Sequence, residues 1–165
     1  MAPSTRHPEP LPSADDPALL VQAIALLLGE RTLRDAIDAG CPGLRASDGY
    51  VFQHLVPGPL TIRDLATRLE ITQQGASKAV ADLERRGFVH RIEDPADARR
   101  RPVALTDRGL LAVHQGRRTR ASVARQLRRR LGGDDYAAFV RSLRAVTDSL
   151  GGFAALEGRR LRAPS

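Results

Sequence analysis

Cysteine, tryptophan and lysine are nearly missing from this sequence: it has one cysteine, Cys41, no tryptophan, and a single lysine, Lys78, among 26 basic residues. One thiol excludes an internal disulfide framework and a multi-cysteine zinc site within one chain. Long apolar runs are also absent. The longest, Ala23 to Leu28, is far too short to cross a bilayer, so no membrane partner is expected. Histidine is sparse: His7, His54, His90 and His114 fall in unrelated predicted elements, without the organised acid, base or nucleophile that catalysis needs. We therefore expect no enzyme and no cofactor. Residues 1–16 are rich in proline and hold no stretch of signal-peptide type, which predicts a disordered arm and a cytoplasmic protein.

What is present argues for one folded domain. A hydrophobic content of 42% across 165 residues supports a core, but hardly two independent ones. The net charge of +7 hints at an anionic partner. The charge is uneven: residues 1–60 carry 4 basic and 7 acidic side chains, and residues 106–165 carry 13 and 5. Oppositely charged ends suit first and last helices packed together, within or between chains, with Glu30, Asp35 and Asp38 facing arginines.

Periodicity and capping residues divide the chain. Pro17 suits a first helical turn, and Leu20, Ile24, Leu27 and Leu28 recur at helical spacing, giving a first helix that ends near Gly40. A second helix runs from about Ser47 to Leu55, before Pro57-Gly58-Pro59 stops it. Thr61 with Asp64 forms a capping box for a third helix ending at Leu69. Thr72 caps a fourth, whose residues Ala76, Ala79, Val80 and Leu83 point inward until Gly87 ends it. This pair is a helix-turn-helix. Phe88 to Ile92 and Val103 to Leu105 then read as the two strands of a hairpin wing. Thr106 opens a long fifth helix to about Leu131, and Gly132-Gly133 separates it from a sixth carrying Phe139, Val140, Leu143 and Val146.

The expected fold is mainly α with a small β-hairpin wing, a winged helix-turn-helix flanked by N- and C-terminal dimerisation helices. Its parts are an arm (residues 1–16), N-terminal helices (17–56), a winged unit (57–109), C-terminal helices (106–156) and a flexible tail (157–165).

On the fourth helix the inward stripe leaves Gln73, Gln74, Gly75, Ser77 and Lys78 outward at the N-terminal end. Glutamine pairs bidentately with adenine, lysine donates to guanine or phosphate, serine bonds either, and glycine lets the backbone approach closely. In the wing, Arg99, Arg100 and Arg101 cluster on a loop suited to a minor groove or to phosphate, and Asp97 would brace an arginine. Thr61 and Arg63, together with Thr72 at the cap, complete the expected contacts to double-stranded DNA.

These elements carry a resemblance. Leu65-Ala66, the segment Thr72 to Lys78, Leu83-Glu84-Arg85-Arg86-Gly87, Asp97-Ala98-Arg99 and Leu105-Thr106-Asp107-Arg108-Gly109 stand in the order and register of the multiple antibiotic resistance regulator (MarR) family, which this chain resembles. The resemblance implies a transcriptional regulator, in the first place a repressor. It also implies a homodimer on a pseudo-palindromic operator, its first, fifth and sixth helices interlocking through Leu20, Ile24, Leu27, Phe139, Leu143 and Val146. It further implies a small phenolic or anionic effector bound between the dimer helices and the winged unit. Arg117, Arg118 and Arg120 are candidates to meet such a ligand, although a solvated face or pairing with the acidic first helix is the favoured reading.

Two alternatives stay open. One is a winged module that binds protein and not DNA. The other is a redox regulator using Cys41, which Pro42 and Gly43 suggest is exposed in a loop, with no basic neighbour nearer in sequence than Arg45. Inert thiol is the default. Cys41, His54 and His114 lack the further ligands a metal site would need, so no metal is expected.

Overall fold

The structure is a computed structural model that describes residues 15–93 and 101–152. Residues 1–14 of the expected arm, the wing tip with Asp97, Arg99 and Arg100, and residues 153–165, which include the expected tail, lie outside the described residues. Eight elements follow in chain order: α1 (Pro17–Asp38), α2 (Asp48–Leu55), α3 (Ile62–Leu69), α4 (Gln73–Arg85), β1 (Val89–Arg91), β2 (Val103–Leu105), α5 (Asp107–Leu131) and α6 (Gly133–Ser149).

Local chemistry sets these boundaries. The Asp16 carboxylate accepts from the amides of Ala18 and Leu19 at 2.8 and 3.3 Å, with Pro17 in the first turn, where its missing N–H costs nothing. The hydroxyls of Thr61, Thr72 and Thr106 each accept from the amide three residues on, capping α3, α4 and α5. The capping box at Thr61 takes a variant form: the Asp64 carboxylate accepts from the Thr61 hydroxyl at 2.7 Å.

The wing is close to expectation. β1 and β2 pair antiparallel, Val89 opposite Leu105 and Arg91 opposite Val103. The strand starts one residue later than Phe88 because the Phe88 amide donates to the Leu83 carbonyl, closing the exit of α4. Leu60 adds a short third edge, exchanging backbone hydrogen bonds with Val103 at 3.1 and 2.8 Å, so the segment entering α3 is stitched to the wing.

The core belongs to the winged unit and to α2. Leu65, Leu69, Val80, Leu83, Phe88, Val89 and Val103 are fully or almost fully buried, and Phe52 packs against Phe88 with ring centroids 5.8 Å apart. α5 joins this core through small side chains. Its buried positions are Gly109, Ala112, Gly116 and Thr119, one stripe in which Gly109 meets Phe88 while Gly116 and Thr119 meet Thr32 and Asp35 of α1. Gly109 is obligatory, since a Cβ there would stand 2.2 Å from the Phe88 carbonyl oxygen. α1 runs along α5 with Thr119 donating to Asp35 at 2.6 Å and Arg31 to Gln126 at 3.1 Å. Within the chain, then, the acidic first helix meets mainly the fifth.

The outer parts of α1 and all of α6 remain outside this core. Leu20, Ile24 and Leu27 are about half exposed or more, at 48%, 52% and 62%, and α6 buries no residue at all. Leu143 and Val146 are exposed and Phe139 is half-buried. No helix among the described residues is long and apolar enough to cross a membrane.

Candidate nucleic-acid interface

α4 is a two-sided helix. Ala76, Val80 and Leu83, spaced four and three apart, are buried on the face toward α3 and the wing. Ala79, expected inward with them, is half-buried. The opposite face shows Gln73, Gln74 and Lys78 exposed, with Gly75 and Ser77 half-buried beside them. The Thr72 hydroxyl, accepting from the Gly75 amide at 3.0 Å, fixes where this face begins. A Cβ at Gly75 would lie 3.2 Å from that hydroxyl, so the smallest residue serves the cap as well as any close approach.

The remaining expected contacts sit on either side. Arg63 is exposed one position into α3, next to the Thr61 cap, and Arg101 is exposed where the chain re-enters the wing before β2. The structure thus presents polar and cationic groups from α3, α4 and the wing. Between α3 and α4 the chain turns on Glu70, a left-handed residue (φ 52°, ψ 43°) that is not glycine.

The exit of α4 is held by a cluster that the motifs alone do not suggest. Arg86 donates through both terminal nitrogens to the Asp48 carboxylate at 2.6 and 2.9 Å, through Nε to Asp82 at 2.9 Å, and to the Gly43 carbonyl at 3.0 Å. Asp48 is buried, and Arg45 and Arg85 also pair with Asp82. The hydrogen bond with Asp48 pushes the Arg86 pKa further up against the effect of burial, with the Asp48 charge and Asp82 adding to it. At Asp82 burial would raise the carboxyl, yet the hydrogen bond from Arg86 and the charges of Arg86, Arg45 and Arg85 hold it below the usual carboxylate range. Arg108 lies over the Phe88 ring at 4.7 Å and donates to the carbonyls of Arg86 and Pro42. The Asp48–Arg86 pair spans 38 positions of sequence, beyond any local spacing rule.

Cys41 requires a correction. It is fully buried, its amide donating to the Ala36 carbonyl at 3.0 Å and its thiol facing the Arg108 carbonyl at 3.7 Å. Pro42 and Gly43 are exposed as expected, but Arg86 and Arg108 donate to the Gly43 and Pro42 carbonyls and hold the loop so that Cys41 turns inward. Burial pushes the thiol pKa up, and the nearby Arg108 charge opposes this only in part. Among the described residues no group of three metal-ligating side chains forms.

A cavity of about 510 Å³ lies where α1, α2 and α5 meet. Leu28, Leu33, Tyr50 and Phe52 supply apolar wall, and Arg45 and Arg120 supply its two cations. Of the three arginines considered on α5, Arg120 lines this cavity. Arg118 instead lines a wider, more polar groove with Asp35, Asp38 and Arg125, where the acidic α1 does face arginines of α5.

A capped helix-turn-helix, a two-stranded wing and an outward polar face on the second helix of the pair define a winged helix-turn-helix protein. The sequence model of the MarR family matches residues 43–100, from the loop before α2 into the wing. Solved structures similar to the chain agree in fold. The MepR–DNA complex of Staphylococcus aureus has a TM-score of 0.67 at 20% identity, covering 80% of this chain and 96% of that one. RV1404 from Mycobacterium tuberculosis has a TM-score of 0.65 at 20% identity, with coverages of 84% and 97%. MepR of Staphylococcus aureus bound to ethidium bromide has a TM-score of 0.61 at 20% identity, with coverages of 81% and 95%. No curated protein matches the chain.

Proposed function

We propose that the protein is a sequence-specific DNA-binding regulator, acting as a homodimer on a pseudo-palindromic operator, most simply as a repressor. One observation carries this reading: the outward face of α4 displays Gln73, Gln74, Ser77 and Lys78 while its other face is committed to the core. Such a face is built to enter a major groove and has no internal task. Gln73 and Gln74 read base edges, Lys78 donates to guanine or phosphate, and Thr61, Arg63 and Thr72 bind the backbone. Arg99, Arg100 and Arg101 follow a minor groove or a phosphate strand from the wing, with Asp97 bracing an arginine.

Dimerisation follows from what the single chain leaves uncovered. A helix of 17 residues with nothing fully buried gains little from its own chain's packing. Leu20, Ile24 and Leu27 of α1, with Phe139, Leu143 and Val146 of α6, form the stripe that a second copy covers. Two winged units related by a two-fold axis then meet two half-sites. The cavity between α1, α2 and α5 is the place for an effector, and its apolar wall with Arg45 and Arg120 suits a small aromatic anion that releases the protein from DNA.

The test is selection of bound sequences from a random duplex pool, repeated with Lys78→Ala and with Arg99→Ala plus Arg101→Ala. The expected result is a two-fold symmetric site, weakened by each change. Absence of any enriched site would contradict DNA reading and favour a protein-binding winged module.

A further inference from the structure

Three helices start in the same way, and the structure separates the reasons for their third residues. The amides of Asp64, Gly75 and Gly109 donate to the hydroxyls of Thr61, Thr72 and Thr106 at 3.2, 3.0 and 3.2 Å. Asp64 shows that a threonine cap tolerates a side chain at this position. Gly109 is glycine because a Cβ there would run into the Phe88 carbonyl oxygen. Gly75 has neither reason. It is not among the glycines of positive φ, and the three nearest neighbours of a Cβ would be side-chain atoms of Thr72 and Ile71. The tightest of these is the cap's own hydroxyl at 3.2 Å, which eases the cap but does not demand glycine. Glycine is among the poorest helix formers, so this one weakens the entry of α4 with no return inside the chain. What it leaves is a notch with one apolar wall. The place of the missing Cβ lies 3.8 and 3.9 Å from Cδ1 and Cβ of Ile71, near the optimal separation of two carbons. Gly75 and Ile71 are half-buried, while Gln74 and Lys78 are exposed.

We propose that Gly75 is a specificity-determining residue, and that its notch receives the 5-methyl group of a thymine against Ile71. The inference rests on the reading of α4 as the DNA-reading helix. Thymine is the one base that presents a methyl group in the major groove, where the other bases are told apart by their donors and acceptors. Gln73, Gln74, Ser77 and Lys78 match those donors and acceptors, and none of them offers a pocket for a methyl. The notch does. With no side chain at position 75 the helix can settle closer to the base edge, and the methyl fills the space that a Cβ would otherwise take. Any larger residue there competes with the methyl for the same volume.

The test removes the methyl from the DNA and, separately, adds one to the protein. In the two-fold site recovered by selection, each thymine is replaced in turn by dU, which lacks only the 5-methyl group. Affinity is measured for the parent and for Gly75→Ala. One dU position in each half-site is expected to weaken the parent about fourfold, the value of one buried methyl. Gly75→Ala should weaken binding to the thymine duplex about tenfold and should bind the dU duplex more tightly than the thymine duplex, reversing the parent's preference. A parent indifferent to every thymine methyl would overturn the inference. So would a variant that loses the same factor on both duplexes, since that is the mark of a close approach to phosphate. Thermal unfolding reads the fold separately: Gly75→Ala should melt no lower than the parent, and a clear fall would show that the fold itself requires the glycine and would overturn the assignment. The dU series on the parent needs no variant, so it decides the matter even if Gly75→Ala does not fold. No enriched site at all would refute the DNA reading and the notch together, whereas an enriched site without a sensitive methyl would refute the notch alone.

Discussion

The winged unit and the terminal helices solve opposite problems. From Leu60 to Gly109 the chain closes on itself: each helix is capped by its own threonine, the wing is stitched to the segment before α3, and Leu65, Leu69, Val80, Leu83 and Phe88 are sealed from water. At the ends the reverse holds. Ile24, Leu27 and Val146 are 52%, 62% and 47% exposed, and α6 rests on α5 without burying one residue. The first region is closed by its own contacts, while the second leaves large apolar side chains uncovered. The contrast matches the proposed division between a part that reads DNA and a part that pairs.

Substitutions can break this contrast. The largest effect is expected from Leu65→Ala, which opens a cavity in the sealed core and costs about 2–5 kcal/mol. Chemical denaturation should show that loss at every protein concentration. Leu27→Asp with Leu143→Asp should instead leave the winged unit folded by circular dichroism and weaken self-association by about 2 kcal/mol or more. Sedimentation across a concentration series would show it, and a monomer–dimer equilibrium unmoved by the pair would erase the distinction between the two regions.

Smaller changes sharpen the comparison inside the winged unit. Thr72→Ala removes the cap of α4 and should cost about 1 kcal/mol in thermal or denaturant unfolding. Acid should act at the exit of the same helix. Because the Asp82 carboxyl is held below its ordinary range, its stabilising effect is present above about pH 4 and is lost as pH falls through the folded value. Unfolding measured from pH 6 downward should be more acid-sensitive in the parent than in Asp82→Asn. Cys41 should label slowly with a thiol reagent in the native state and rapidly in denaturant, since the protein holds it buried and protonated.

The sequence announces the winged unit because its signals are local. Thr61, Thr72 and Thr106 mark helix starts within four residues, and the alternation from Phe88 to Ile92 marks a strand without reference to the rest of the chain. What escaped depends on distant partners. Asp48 looks like an ordinary first-turn carboxylate until Arg86 is brought to it, and Cys41 looks like a loop thiol until Arg108 and Ala36 close over it. The buried small stripe of Gly109, Ala112, Gly116 and Thr119 is likewise hard to see in a helix crowded with arginine, because small residues give periodicity searches little to find. Gly109 itself lies inside the family motif, yet only its approach to the Phe88 carbonyl explains why that position is glycine.

The most direct test of the account is the salt dependence of affinity for a selected duplex, measured for the parent and for Lys78→Ala. A DNA-reading winged dimer predicts a steep linear fall of log affinity with log salt, and a slope reduced by about 0.9 for each phosphate contact removed. A slope near zero in the parent would contradict the claim that the exposed face of α4 and the wing exist to bind DNA.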